Sequence, residues 1–206
     1  ALAQGGRLRV FVGIGASDTL QPEQADVIDF FGYAAGGPHR RLAEAGVLDI
    51  LPSHYSHLPG LIRAGVLPAD VVLLQVSPPD EEGRYSLGLA QEYLPAALER
   101  ARVVIGEVNP AIPWTHGGVH LQARDFALLI DAEHPPLEQG RAAPGPVEQA
   151  IARHVAALIE DGATLQLGIG NLPEAVLAAL HGHRDLGLHS GAVGDGIAAL
   201  AEAGVL

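Results

Sequence analysis

Cysteine, lysine and methionine are absent from this chain of 206 residues. Without cysteine the protein has no disulfide bond, no thiolate metal site and no cysteine nucleophile. Without lysine it has no phosphate-binding loop of the kind that ends in Gly-Lys-Ser/Thr. Methionine is missing and alanine stands at position 1. We therefore expect this sequence either to be part of a longer natural chain or to lack residues at some positions.

Positive charge is also scarce. The chain carries twelve basic residues, all of them arginine, against 24 acidic residues, which gives a net charge of −12. Because nucleic-acid binding needs a basic surface, this charge disfavours a nucleic-acid partner. No apolar run reaches the length of about eighteen residues that a membrane span needs, and no signal-peptide pattern opens the chain. We therefore expect no membrane partner and a cytoplasmic location.

Apolar residues make up 48% of the chain and charged residues 17%, which is typical of a folded protein with a buried core. Short apolar runs alternate with amphipathic segments, although residues 17–31 show no clear pattern. This alternation predicts an α/β fold with a mostly parallel sheet and flanking helices. Strands are predicted over residues 7–13, 47–51, 70–76, 102–108, 126–131, 164–168 and 186–189. Helices are predicted over residues 38–45, 56–64, 93–101, 147–160, 173–180 and 196–203.

One short pattern occurs twice in the chain. Gly13-Ile14-Gly15 follows the first predicted strand, and Gly168-Ile169-Gly170 follows a later one. Such a repeat predicts two domains of the same kind. We expect the first domain to cover residues 1–142, the linker to cover 139–146, and a second, incomplete domain to cover 146–206.

The second glycine pattern is a candidate binding loop. Gly168-Ile169-Gly170-Asn171 stands between a predicted strand and a predicted helix, where backbone N–H groups can hold a phosphate or a carboxylate. The dinucleotide-binding pattern needs a third glycine where Pro173 stands, so that kind of loop is not predicted. An ordinary turn between strand and helix is the alternative interpretation.

Two other segments lie on apolar strands or at their ends. Gln75-Val76-Ser77-Pro78-Pro79-Asp80 ends the strand over 70–76, at the edge where parallel sheets bind ligands, although a rigid surface turn also explains it. Glu107 lies within an apolar strand, so its carboxylate needs a partner unless it reaches solvent at the sheet edge. The ten histidines lack the spacing of metal ligands, and no metal site is predicted. Ser190 lies outside any nucleophile elbow, which argues against a serine hydrolase.

Together these segments resemble the fused family I CoA-transferases, in the group of acetyl-CoA hydrolases/transferases and 4-hydroxybutyrate CoA-transferases. The resemblance runs from about residue 47 to the end and more weakly over the first strand, while residues 16–37 look shortened. The segments that carry it are Leu74–Asp80, Gly83, Ser86–Gly88, Glu107–Asn109, Leu158–Gly170, Leu186–Ser190 and Asp195–Gly196.

The resemblance implies two similar α/β halves and covalent chemistry. In such enzymes a glutamate carboxylate attacks the acyl-CoA thioester, which forms an acyl-glutamyl anhydride and releases CoA thiolate. The thiolate then attacks the anhydride, which frees the first carboxylate and leaves an enzyme–CoA thioester. An acceptor carboxylate finally takes the CoA. Many relatives carry this glutamate after His-Ser, where this chain has Gly191. Glu107 and Asp195 are the substitute acids that we name. The resemblance assigns substrate and CoA binding, including an oxyanion-binding loop, to Gln75, Ser77, Gly168, Ile169, Gly170, Asn171, His189, Ser190 and Gly196.

The implied partners are a small acyl-CoA and a carboxylic acid, with CoA as a substrate and no permanently bound cofactor. A homo-oligomer is left open. Glycine cannot form an anhydride, so a transferase that uses another acid, a hydrolase and a non-catalytic CoA-binding homologue are all open at this point. A sugar-phosphate isomerase-like enzyme is a further alternative, but such enzymes usually use a lysine, which this chain lacks.

Overall fold

The computed structural model describes residues 6–138 and 143–206 of the chain. The chain forms two compact units, Ala1–Glu138 and Gln139–Leu206. Residues 139–142 of the predicted linker, and with them the predicted domain end at 142, lie outside the described residues. Pro146, the last predicted linker residue, begins a helix. That the two units are domains of the same kind stays a prediction.

The first unit alternates short strands with short helices. Its strands are β1 (Leu8–Val12), β2 (Ile28–Gly32), β3 (Leu48–Ile50), β4 (Val71–Val76), β5 (Arg84–Ser86), β6 (Val103–Val108), β7 (His120–Gln122) and β8 (Leu128–Asp131). Its α-helices are α1 (Arg40–Glu44), α2 (Leu58–Arg63) and α3 (Leu94–Arg100). Single turns of 3-10 helix cover Pro22–Asp26, Gly37–His39, Tyr55–His57 and Ala123–Asp125. The predicted α/β class, with parallel strands and flanking helices, is confirmed.

One sheet of this unit has the parallel order β1-β2-β3. Its central strand β2 lies in the stretch for which the sequence showed no clear pattern. Successive side chains of a strand point to opposite faces, and here both faces are covered. Phe30 packs in one cluster with Leu42, whereas Phe31 packs in another with Leu58. Because both phenylalanines are buried, β2 lacks the alternation of apolar and polar residues that would have predicted it.

A second sheet of this unit has the parallel order β4-β6-β8. One of its faces packs in a cluster that includes Val72, Leu74 and Ala97 of α3. On the other face Leu73 is 71% exposed and Leu128 is 51% exposed. Strand β4 therefore alternates between buried and exposed residues, although its sequence is a nearly continuous apolar run.

An antiparallel ribbon of β5 and β7 joins the segments that follow β4 and β6. Neither strand was predicted, because each has only three residues and no apolar run. A turn closed by Asp80 leads into β5: its carboxylate accepts hydrogen bonds from the Glu82 and Arg84 amides at 3.0 and 2.8 Å and pairs with the Arg84 guanidinium at 2.7 Å. Asparagine and aspartate side chains commonly close turns in this way.

The second unit contains three α-helices and a parallel pair of strands in its described part. The elements are α4 (Pro146–Ala156), β9 (Thr164–Leu165), α5 (Asn171–Ala179), β10 (Gly187–Leu188) and α6 (Asp195–Glu202). Its core brings together residues of all three helices, among them Ala152, Leu177 and Leu200. Helix α4 ends four residues before the predicted end, and Leu158, which the sequence placed on its apolar face, is 84% exposed.

Within the described residues, no helix has both the length and the apolar character that crossing a membrane requires.

The core of the second unit can be tested with two leucines. Leu180 is fully buried and Leu158 is 84% exposed. We expect Leu180→Ala to lower the free energy of unfolding by about 2–5 kcal/mol, because it leaves a cavity. Leu158→Ala should change it by less than about 0.5 kcal/mol. Urea unfolding followed by circular dichroism measures both, and equal effects would show that the helices do not pack as described.

The contact between α5 and α6 depends on Gly196. A Cβ atom there would lie 2.7 Å from Glu174 Oε2 and 3.0 Å from Leu177 Cβ. We expect Gly196→Ala to cost about 1–3 kcal/mol of unfolding free energy, as overpacking usually does. Gly182→Ala is the matched control, because nothing lies within 4 Å of a Cβ at that position. If both variants melt at the wild-type temperature, the two helices do not approach this closely.

Candidate functional site

Most of the predicted site segments follow the carboxyl ends of parallel strands. In the first unit Ser77 follows β4 and Asn109 follows β6. In the second unit His189 follows β10, and Gly168 stands three residues after β9. Ligands of parallel α/β sheets bind at this edge of the sheet. Each unit therefore presents its candidate residues at the expected edge of its own sheet.

The loop Gly168–Asn171 of the second unit is exposed and leads directly into α5. Gly170 precedes the helix with φ 123° and ψ −179°, a conformation that residues with a side chain rarely adopt. The helix begins at Asn171, two residues earlier than predicted, so Pro173 stands in its first turn. The N–H groups of a first helical turn have no partner within the helix and can bind an anion.

Ser190 connects the loop after β10 to the segment after β9 by hydrogen bonds. Its hydroxyl donates a hydrogen bond to the Leu167 carbonyl at 3.1 Å and accepts one from the Leu167 amide at 3.3 Å. The His189 amide donates to the Leu165 carbonyl at 2.9 Å. The Ser190 hydroxyl thus both donates to and accepts from the backbone, so the structure gives this residue a positioning role. Its predicted contact with substrate stays a prediction.

Gly191 is exposed, and nothing lies within 4 Å of a Cβ built on it. Its φ angle is outside the left-handed region. Ser190 is hydrogen-bonded to Leu167. Gly191 directly follows Ser190, and Gly168 directly follows Leu167, so each glycine is one residue away from this connection. The position therefore has room and a suitable backbone for a side chain, but it carries no nucleophile.

Asp195 and Gly196 begin α6. Asp195 is exposed in the first helical turn, where the partial positive charge of a helix N-terminus stabilises a carboxylate. The Gly196 amide donates a hydrogen bond of 3.0 Å to the Glu174 carboxylate of α5. This contact, with the close approach of the two helices, accounts for a glycine at position 196. Its assignment to CoA binding stays a prediction.

Glu107 in the first unit has a defined partner. Gln75 and Glu107 face each other in the register of β4 and β6, and the Gln75 amide donates a hydrogen bond to the Glu107 carboxylate. Both residues are half-buried. Of the two sequence interpretations, the structure therefore supports a carboxylate with a hydrogen-bond partner.

Ser77 has only 1% of its surface exposed. Its hydroxyl donates to the Pro78 carbonyl at 2.9 Å and accepts from the Ser86 amide at 3.0 Å. Asn109, also 1% exposed, donates from its side chain to the His134 carbonyl at 3.1 Å and accepts from the Ala111 amide at 3.0 Å. Both side chains thus shape the loops after β4 and β6, and a role for Ser77 in substrate binding stays a prediction.

A group of tyrosines near the ends of β1 and β2 was missed by the sequence reasoning. The rings of Tyr33, Tyr55 and Tyr93 lie in mutual edge contact, with centroids 5.1 to 6.2 Å apart. Burial raises the pKa of all three hydroxyl groups, and the nearby Glu92 carboxylate raises it further. The hydroxyls therefore stay protonated at neutral pH. The only sequence signal was that Tyr33 directly follows the phenylalanine-rich strand.

Among the residues that the structure describes, no group of three or more His, Asp or Glu side chains could hold a metal ion.

Comparisons with known proteins agree with this fold and these segments. The model of the acetyl-CoA hydrolase/transferase N-terminal domain matches residues 3–131. A 4-hydroxybutyrate coenzyme A transferase of Clostridium kluyveri is 43% identical over 171 residues, which are 83% of this chain and 40% of the relative. A butyryl-CoA:acetate CoA-transferase of Anaerostipes caccae is 35% identical over 188 residues, which are 87% of this chain and 42% of the relative.

Two solved structures show the same fold. The 4-hydroxybutyrate CoA-transferase of Porphyromonas gingivalis superposes with a TM-score of 0.73 and 34% identity, over 98% of this chain and 54% of that one. RipA from Yersinia pestis superposes with a TM-score of 0.82 and 28% identity, over 89% of this chain and 44% of that one. The chain spans less than half the length of the curated relatives that it matches. The resemblance seen in the sequence is confirmed, and the chain belongs to the acetyl-CoA hydrolase/transferase family.

Proposed function

We propose that this chain binds an acyl-CoA and supports the transfer of CoA to a small carboxylic acid. The observation that carries the proposal is the 43% identity with a relative named as a 4-hydroxybutyrate coenzyme A transferase. The geometry of the second unit supports it. The exposed loop before α5 and the segment held by Ser190 stand at the sheet edge where ligands of this fold class bind.

The chain's own groups suit the polar steps of such a reaction. Attack on a thioester places negative charge on the carbonyl oxygen, and preorganised N–H groups stabilise that charge. The amides of Asn171 and Leu172, in the first turn of α5, are the groups that we assign to this task. Ser190 would keep the facing segment in place by its bonds to Leu167.

The second unit lacks a nucleophile for this reaction. Gly191, which has no side chain, stands where many relatives carry the nucleophilic glutamate. Glu107 and Asp195 are weak substitutes, because each carboxylate is stabilised where it stands. Glu107 accepts a hydrogen bond from Gln75, and Asp195 lies at a helix N-terminus. This is the specific observation that favours a second candidate function, a non-catalytic acyl-CoA-binding homologue. Hydrolysis by water at the open position is the third outcome that the assay below separates.

The proposals on cofactor, second substrate, location and domain organisation rest on membership of the same family. We propose CoA as a substrate with no other cofactor, a carboxylic acid as the second small molecule, and a cytoplasmic location. We also propose that the units are tandem domains, the second incomplete. In support, β1 and β9 each precede a Gly-Ile-Gly loop, and each pairs in parallel with the next strand of its unit.

The central prediction concerns Gly191→Glu. The open space and the backbone angle at this position allow the side chain. We expect the exchange of labelled butyrate with butyryl-CoA to rise at least about tenfold over wild type, equal to about 1.4 kcal/mol of barrier. An enzyme–CoA thioester on residue 191 should then be trapped by borohydride and identified by mass spectrometry.

Gly191→Gln is the matched control, because it has the same size and no nucleophile. Release of free CoA without labelled butyryl-CoA would identify hydrolysis. If Gly191→Glu folds and binds CoA but exchanges no faster than Gly191→Gln, the missing carboxylate is not the cause, and the non-catalytic function takes precedence. If no variant binds CoA, the proposal itself is wrong.

A further inference from the structure

The position of the family nucleophile in the second unit is an open space beside fixed backbone. Gly191 is exposed, and nothing lies within 4 Å of a Cβ built there. Ser190 bonds twice to Leu167, and the His189 amide bonds to the Leu165 carbonyl, so the segment that leads to this space is held beside the segment after β9. The space that a glutamate side chain would fill is therefore open to a small molecule from solvent.

The side chains near this space in the described part of the second unit have other tasks. The Ser190 hydroxyl donates to and accepts from the Leu167 backbone. The Glu174 carboxylate accepts a hydrogen bond of 3.0 Å from the Gly196 amide, and Asp195 stands in the first turn of α6. Each of these groups would have to leave its present place to attack a thioester. A nucleophile from solvent would not.

A carboxylate ion suits the open space better than water does. Beyond Cα, the side chain of glutamate has the same heavy atoms as propionate, so a free propionate reproduces the group that position 191 lacks. Carboxylic acids ionise with a pKa of about 4.3, and at neutral pH the ion attacks without a base, whereas water must first lose a proton. Helix α5, which begins at Asn171 just after the Gly168 loop, favours negative charge at its N-terminus.

We infer that in this chain the acceptor acid is itself the nucleophile, and that CoA passes from one acyl group to the other without a covalent enzyme intermediate. This inference rests on the proposed function, because it concerns the same site. It replaces the glutamate of the family mechanism by the second substrate.

The direct reaction has two steps. The acceptor carboxylate attacks the carbonyl carbon of the acyl-CoA thioester, and the carbon–sulfur bond breaks, which gives a mixed anhydride and CoA thiolate. The thiolate then attacks the acceptor's carbonyl carbon in the anhydride, which forms the new thioester. The first acid leaves as a carboxylate that keeps one oxygen atom of the acceptor. No proton is taken up or released.

Two consequences distinguish this reaction from the family mechanism. Both substrates must be bound at the same time, because no enzyme–CoA thioester stores the CoA between them. The reaction is also slow, since a free carboxylate lacks the effective concentration of about 10⁵ M or more that an attached nucleophile can have. An attached glutamate at position 191 should therefore raise the rate, as expected above.

The first test measures propionyl-CoA formed by the complete 206-residue chain from butyryl-CoA and propionate. When both concentrations are varied, the double-reciprocal lines should intersect, as they do when both substrates bind before product leaves. Parallel lines would indicate a covalent intermediate.

The second test follows the oxygen atoms in a single turnover, with enzyme in excess over butyryl-CoA. Both carboxylate oxygens of the propionate carry the heavy isotope. Wild type should release butyrate that contains one heavy oxygen, because the acceptor's oxygen bridges the anhydride. Gly191→Glu should release unlabelled butyrate and keep the heavy oxygen on the new carboxylate, which mass spectrometry detects in the peptide.

Two further variants test whether the open space is needed. Gly191→Gln fills it without adding a nucleophile and should slow the formation of propionyl-CoA at least about tenfold. Gly182→Gln is the matched control, because nothing lies within 4 Å of a Cβ at that position either, and it should react as wild type does. Circular dichroism checks that each variant is folded.

The possible failures are distinguishable. Unlabelled butyrate with parallel lines, or an acyl or CoA adduct on any residue, His189 included, overturns the inference and leaves CoA transfer in place. Butyrate that takes its new oxygen from labelled water shows hydrolysis and also overturns it. If only Gly191→Glu forms propionyl-CoA, the inference is wrong and the proposed function stands. If neither that variant nor wild type forms it, the proposed function is wrong as well.

Discussion

Parallel pairing of strands decides where the chemically interesting residues of this chain lie. In three of the four described sheets, all but the β5-β7 ribbon, the hydrogen-bonded strands run in the same direction, as in the register of Val71 to Val76 with Val103 to Val108. The loops that follow the strands of one parallel sheet consequently lie at the same edge of that sheet. Residues as far apart in sequence as Ser86 and Thr115, or Leu167 and Ser190, become hydrogen-bond partners there.

Serine hydroxyls then hold these loops in place. Ser77, Ser86 and Ser190 each bond to the backbone of a segment distant in sequence. A hydrogen bond of this kind contributes about 1 kcal/mol, and losing one partner of a buried bond costs more. Ser77 and Ser190, which the family resemblance assigned to substrate or CoA binding, thus hold the backbone in place whether or not a ligand is bound. In the second unit this task leaves Gly191 at the end of a fixed segment, with free space around it.

The sequence predicted the parallel core strands and most helices, because their apolar runs are long enough to show a pattern. It missed β2, whose Phe30 and Phe31 enter two different clusters, and the ribbon of β5 and β7, whose pairing depends on distant partners. It predicted α4 to be longer than it is, because the apolar character of Leu158 does not show whether a neighbouring residue covers that side chain. The candidate binding loop at Gly168 was visible as a motif.

The most direct test is to measure which residues of this chain an acyl-CoA contacts. Hydrogen–deuterium exchange of the wild-type protein with and without butyryl-CoA, read by mass spectrometry, reports this without requiring turnover. We expect butyryl-CoA to slow exchange in peptides that cover residues 165–172 and 188–192, and to leave exchange in α4 unchanged. Unchanged exchange in both loops at saturating butyryl-CoA, or protection confined to the edge near Arg102 and Ala127, would contradict it.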